Sequence, residues 1–142
     1  MRLEVKRISD ELRTDEACRI YSACLYQPTP EKYAARLDEL LENRAYGCFA
    51  DGALAGILVL APREPGAAEI LGIAVAEERR GRGLGRLLLQ RAAAAEGLRV
   101  LRAETDGEAV GFYERCGFRA ERFFRDYGGA AVERFRCAAE MG

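Results

Sequence analysis

The sequence predicts an α/β sandwich around one mixed, mostly antiparallel sheet of about seven strands, flanked by four helices. Three observations carry this expectation. Apolar residues recur with period two in some stretches and with helical spacing in others, in the order β-α-α-β-β-β-α-β-α-β-β. The stretch Ala68-Glu69-Ile70-Leu71-Gly72-Ile73-Ala74-Val75 is too apolar for a half-exposed strand and suits the centre of a sheet. The chain has 142 residues, 49% of them hydrophobic, which fits one domain spanning 1–142. Such a chain buries roughly two-thirds of its unfolded surface without a disulfide or metal staple.

The elements follow in order. Leu3 and Val5, with Ile8 after a break in phase, read as a first strand, and Ser9-Asp10 offers a turn or cap. From Thr14 to Tyr26, Ala17, Ile20, Tyr21, Cys24 and Leu25 repeat with helical spacing until Pro28 and Pro30 close the segment. Thr29 caps the second helix with Pro30 at its first position, followed by the stripe Tyr33, Leu37, Leu40 and Leu41. Tyr46 to Ala50 and Ala53 to Leu60 flank Asp51-Gly52, a pair that favours a two-residue hairpin turn. Beyond the central strand, Leu84, Leu87, Leu88, Ala95 and Leu98 mark a helix that Gly97 stops. Val100 to Glu104 is the next strand, and a helix from Glu108 to Cys116 ends at Gly117. Two last strands, Phe118 to Arg125 and Ala131 to Cys137, meet around Gly128-Gly129.

Composition removes several kinds of chemistry. There is no histidine, so Ser-His-Asp and Cys-His nucleophile systems and histidine-ligated zinc are excluded, and proton transfer falls to Glu, Asp, Tyr, Lys or Cys. The five cysteines, Cys18, Cys24, Cys48, Cys116 and Cys137, are scattered in apolar stretches with no C-x-x-C pair. They read as reduced core thiols of a cytoplasmic protein, and no metal is expected. Twenty-two Lys+Arg against 23 Asp+Glu leave a net charge of −1, so no overall basic field drives binding to nucleic acid or membranes. The alternating Met1 to Arg7 segment lacks the continuous apolar run of a signal peptide. The longest apolar stretch, Ala53 to Ala61, is about half the length of a membrane-spanning helix.

The most informative segment is Glu78-Arg79-Arg80-Gly81-Arg82-Gly83-Leu84-Gly85-Arg86, set between the central strand and an amphipathic helix. Glycines at 81, 83 and 85 let the backbone approach a ligand, and the first N–H groups of a helix have no internal partners and attract an anion. Seven arginines against three glutamates between Ala76 and Arg102 reinforce that attraction. A P-loop is excluded because Arg86-Leu87 follows Gly85, and no frame of G-x-G-x-x-G fits.

These residues resemble the GNAT N-acetyltransferase superfamily. Its acetyl-CoA signature, Arg/Gln-x-x-Gly-x-Gly/Ala, is matched by Arg80-Gly81-Arg82-Gly83-Leu84-Gly85 after the Ile73-Ala74-Val75 strand end. About thirty residues on, Ala109-Val110-Gly111-Phe112-Tyr113-Glu114-Arg115-Cys116-Gly117-Phe118 matches the segment A-x-x-F-Y-x-x-x-G-F. The resemblance implies a GNAT-like sandwich in which the backbone of Ile73, Ala74 and Val75 pairs with the pantetheine amides of acetyl-CoA. It implies that N–H groups from Gly81 through Leu84 and Gly85 to Arg86 hold the pyrophosphate, with Arg80, Arg82 and Arg86 available to phosphate oxygens.

By the same resemblance, Tyr113 matches the family's tyrosine that can protonate the departing CoA thiolate. Its alternative is a core aromatic packed with Phe112 and Phe118. Glu69 stands where the histone-modifying branch of the family carries its catalytic glutamate, and its alternative is a plain strand-entry residue. Asp106 replaces an asparagine common in the family and suits a helix cap. Phe123, Phe124, Tyr127 and Phe135 alternate with arginines in the tail, a pattern expected of edge strands.

The function implied is acetyl transfer from acetyl-CoA, a co-substrate, to an amine by direct attack in a ternary complex. The alternative is a non-catalytic acyl-CoA-binding regulatory or sensor module. Eight acids against five bases in residues 10–44 lean toward a cationic amine among small-molecule or peptide acceptors. A monomer or homodimer is expected, with no nucleic acid or membrane partner.

Overall fold

The computed structural model describes residues 1–141. Seven strands form one open sheet: β1 (Leu3–Arg7), β2 (Arg44–Ala50), β3 (Ala53–Pro62), β4 (Ala67–Val75), β5 (Val100–Thr105), β6 (Arg119–Tyr127) and β7 (Ala130–Glu140). Their spatial order is β1-β2-β3-β4-β5-β7-β6, so β7 inserts between β5 and β6. All neighbours are antiparallel except β4 and β5. The helices are α1 (Asp15–Tyr21), α2 (Pro30–Glu42), α3 (Leu84–Glu96) and α4 (Val110–Arg115).

The turns obey the residues placed in them. Asp51 and Gly52 have φ of 50° and 85°, the left-handed pair that a two-residue hairpin needs. Gly97 ends α3 at φ 64°, with Leu98 N–H donating to the Ala93 carbonyl. Thr29 caps α2 by accepting from Lys32 N–H, with Pro30 in the first turn. Two helices are shorter than the periodicity predicts. The first ends at Tyr21 and continues as a 3-10 turn, Ser22–Cys24, because the Ser22 hydroxyl competes for the Cys18 carbonyl and Leu25 is already extended. The fourth begins at Val110, because the Asp106 carboxylate takes the N–H groups of Glu108 and Ala109 in the preceding turn.

Two apolar cores lie on opposite faces of the sheet. One includes Leu88, Leu89, Ala92, Leu101, Tyr113 and Phe118, under α3 and α4. The other includes Leu12, Ile20, Tyr21, Leu40, Ile57 and Val59, under α1 and α2. Each fully buried leucine in these layers contributes about 1.5–3 kcal/mol.

β4 serves both cores through a slip in its alternation. Ala68, Ile70, Ile73 and Val75 belong to the first core, whereas Leu71, Ala74 and Ala76 belong to the second. The register explains the slip: Leu60 opposes Ile70 and Val59 opposes Gly72, which leaves Leu71 as the extra residue of a β-bulge. Gly72 completes it. A Cβ built there falls onto the Tyr21 hydroxyl and lies 2.6 Å from Tyr21 Cζ, so only glycine fits beneath that ring. Gly72→Ala is therefore expected to lower stability by about 1–3 kcal/mol. Urea unfolding reads this as a lower midpoint at unchanged slope, and an unshifted midpoint would mean that the Tyr21 ring moves aside freely.

Candidate active site

Just before the bulge, β4 separates from its parallel neighbour. β4 and β5 pair only through Ala67↔Val100, Ala68↔Leu101 and Glu69↔Arg102, so Ile70 to Val75 has no strand on that side. Ala76 N–H donates to the Ala55 carbonyl of β3, and strand alternation therefore turns Ile73 and Val75 toward the gap. Side chains meet their carbonyls there. The Cys24 thiol donates to the Ile73 carbonyl at 3.3 Å, and Arg80 Nε donates to the Val75 carbonyl at 3.1 Å. A cleft of about 270 Å³ lies beside this edge, lined by Arg19, Ile20, Pro28, Val75, Glu77 and Arg80. A larger open hollow of about 550 Å³, near Arg7, Ser9 and Glu11, sits at the β1 side and holds none of these groups.

The gap runs into the start of α3. Gly81 and Gly83 both have φ of 79°, and the space where a side chain would project from either is open. Gly83 is the N-cap, so no side chain satisfies the first N–H groups of the helix, which remain available to an anion. Gly85 has a different reason for being glycine. A Cβ there meets the Phe112 ring at 2.8 Å, so the third glycine lets α4 pack against α3. Arg86 also departs from the expected geometry: its guanidinium donates to the Arg115 carbonyl at the end of α4. Arg80 and Arg82 are the arginines left at the loop.

Tyr113 stands on α4 in the first core, 6% exposed, with its ring edge-on to Phe112 and Phe118 at 5.3 and 5.2 Å. Its ring is therefore a core aromatic, as one reading of the sequence holds. The hydroxyl has no protein hydrogen bond among the described residues. Burial, followed by the nearby Cys24, Cys137 and Cys116, holds the phenol well above its ordinary pKa, so it stays protonated. Glu69 lies where β4 and β5 still touch, between Ala68 and Ile70 of the first core, and so turns toward the second face. Its carboxylate is half-exposed and meets Arg63 at 2.5 Å. The tail arginines are engaged locally. Arg125 and Arg134 share Glu104 at 2.6 and 3.2 Å, and Arg136 stacks on Phe123 at 3.7 Å.

Fold and site define an α/β sandwich that offers a strand edge and a helix start to one extended anionic ligand. The model of the Acetyltransferase (GNAT) family matches residues 14–118, and the chain belongs to that family. Solved structures agree in fold. An acetyltransferase of the GNAT family from Desulfovibrio desulfuricans is 25% identical, with 98% of this chain and 99% of that one covered and a TM-score of 0.71. The IAA acetyltransferase of Bacillus cereus is 24% identical over 99% of this chain and 100% of its own, at a TM-score of 0.68. A GNAT acetyltransferase of Elizabethkingia anophelis with acetyl-CoA bound is 19% identical over 98% of both chains, at a TM-score of 0.70. No curated protein matches the chain at a significant level. No group of metal-ligating side chains occurs among the described residues, and no helix there is long and apolar enough to cross a membrane.

The periodicity assigns Tyr21 and Cys24 to a helix core and gives no sign that they meet β4 at Gly72 and Ile73. The usable signal was Gly72, a lone glycine inside a central strand, which marks a bulge or a close approach to the backbone. Burial raises the Cys24 thiol to about 11, against which the Ile73 backbone and Arg36 pull weakly the other way. Because the thiolate is the reactive form, alkylation of Cys24 at pH 8 is expected roughly 100-fold slower than that of a free cysteine thiol. Peptide mass spectrometry over a time course measures it, and labelling of Cys24 at the free-thiol rate would contradict the buried assignment.

Proposed function

We propose that the chain is an N-acetyltransferase that moves the acetyl group of acetyl-CoA to an amine by direct attack within a ternary complex. The carrying observation is the continuity of the open β4 edge with the uncapped start of α3. An extended amide-bearing arm pairs with Ile73 and Val75 as an added strand would, while a pyrophosphate takes the N–H groups at Gly83, Leu84 and Gly85. Gly81 and Gly83 leave room for that approach, and Arg80 and Arg82 supply charge at the loop. Arg86 contributes by tying α3 to α4. Five unpaired cysteines support a cytoplasmic setting.

In this reading the amine nitrogen attacks the thioester carbonyl carbon, the C–N bond forms and the C–S bond breaks. Tyr113 gives its phenolic proton to the departing thiolate from the α4 side. The amine's proton leaves toward the second face, where Glu69 accepts it directly or through water. The acceptor is a small-molecule or peptide amine that enters on that second face.

Acetyl-CoA at about a hundred times its dissociation constant is expected to add about 2.7 kcal/mol of stability, read as a higher melting temperature. Gly83→Val should abolish that rise while helix content persists, because a branched side chain closes the loop to the phosphates. No rise in the wild-type protein, with no heat in calorimetry, would sink the reading. Binding without CoA release across a broad amine panel would leave an acyl-CoA-binding module instead.

Tyr113→Phe keeps the packing ring and removes the proton, so turnover should fall about 10²- to 10⁴-fold with acetyl-CoA affinity little changed. Glu69→Gln should lower turnover at neutral pH and recover part of it as pH rises and free amine accumulates. A Glu69→Gln pH profile that overlays the wild type would move the base role to water or another carboxylate.

A further inference from the structure

The groups of the proposed ligand fall on the chain in a fixed order. With the pyrophosphate at Gly83 to Gly85 and the amides along Val75 and Ile73, the arm runs back down β4 and brings its thioester to the bulge at Leu71-Gly72. Tyr21 is already there. Its side chain is 1% exposed, its ring covers Gly72, and it sits in the electrostatic neighbourhood of Cys24, whose thiol holds the Ile73 carbonyl. The Tyr21 hydroxyl, set where a Cβ on Gly72 would project, has no hydrogen-bond partner among the described residues, yet no fully enclosed side-chain oxygen goes unpartnered, so this hydroxyl at the bulge is not fully enclosed. A phenol buried this deeply without a partner carries a cost to the fold unless something else receives its proton.

We propose that the Tyr21 hydroxyl is a further catalytic residue, donating a hydrogen bond to the thioester carbonyl oxygen of acetyl-CoA at the β4 bulge. The assignment rests on the acetyl-transfer reading above. As the amine nitrogen attacks, the carbonyl π pair moves onto the oxygen, and the Tyr21 O–H meets the charge gathering there. The pair returns to re-form C=O as the C–S bond breaks, and the thiolate takes its proton from Tyr113. Tyr21 loses no proton. The two phenols then divide the work from opposite faces of the split sheet: Tyr113 serves the sulfur and Tyr21 the oxygen. Burial, with the neighbouring Cys24 thiol as a lesser cause, raises the Tyr21 pKa well above the usual value, which keeps the donor neutral through the reaction.

The test is infrared difference spectroscopy of acetyl-CoA carrying ¹³C at the thioester carbonyl, which needs no knowledge of the amine. On binding wild-type protein the labelled band should shift to lower frequency. In Tyr21→Phe that shift should be lost, with the melting temperature at or above wild type and acetyl-CoA affinity unchanged. With any amine that turns over, kcat should fall about 10²- to 10³-fold while KM for acetyl-CoA stays put. Incorporation of a fluorinated, more acidic tyrosine at position 21 should push the band further, which covers the case of a poorly folding phenylalanine variant. Acetyl-CoA binding with identical bands in wild type, Tyr21→Phe and the fluorinated protein overturns the proposal and leaves acetyl transfer standing. So does a shift lost in Tyr113→Phe and kept in Tyr21→Phe. Failure of wild-type protein to bind acetyl-CoA brings down the functional reading itself.

Discussion

One extra residue, Leu71, governs the rest of the structure. Without it β4 would keep one alternation along its whole length. The strand twists there, two residues after its pairing with β5 ends at Glu69, and the Ile73 and Val75 backbone faces an opening. Unpaired peptide groups inside a protein are costly, so the opening needs partners. Two carbonyls are served by side chains, Cys24 on one and Arg80 on the other. Neither is part of a ladder, so a ligand can replace either without unravelling the sheet.

The split also explains why two cores exist and how they are held. Before the bulge Ala68 and Ile70 face the α3–α4 side, and after it Ile73 and Val75 do, while Leu71, Ala74 and Ala76 face α1 and α2. Helices on both sides then clamp the lips of the gap. On one side Gly85 admits the Phe112 ring, and Arg86 fastens the carbonyl end of α4. On the other, Tyr21 presses on Gly72, and its ring meets Tyr33 of α2 at 6.2 Å. The open stretch of β4 is thus flanked by packed side chains, and a close-packed surround limits the freedom of whatever binds beside it.

Local rules made most of the fold legible. Asp51-Gly52, Thr29-Pro30 and Gly97 each state their geometry in two or three residues, and the glycine loop at 81–85 states its place between strand and helix. What stayed hidden depends on contacts far apart in sequence. The position of β7 between β5 and β6 comes from pairing over thirty residues, which no local pattern encodes. The reason for Gly85 lies in Phe112, 27 positions on, and so the loop's three glycines look alike although only Gly81 and Gly83 face open space. Tyr21 and Cys24 carry helical periodicity and therefore read as core. They are core, and they also meet β4 at its open stretch, Tyr21 over Gly72 and Cys24 on the Ile73 carbonyl.

In a chain without histidine, the proposed reaction divides its proton transfers between two buried phenols and a half-exposed carboxylate. The two phenols lie inside, where burial suppresses ionisation and preserves a donor hydrogen. The carboxylate of Glu69 lies at the half-exposed rim, beside Arg63 and water. In the proposed reaction this arrangement separates the proton that leaves the amine from the proton that reaches the sulfur, and the two need not share one side chain. A dry interior strengthens the phenols' hydrogen bonds to developing charge, while a wet rim lets a proton escape to solvent. The bulge sets that boundary, since it places Ile73 and Val75 on one face of β4 and Glu69 on the other.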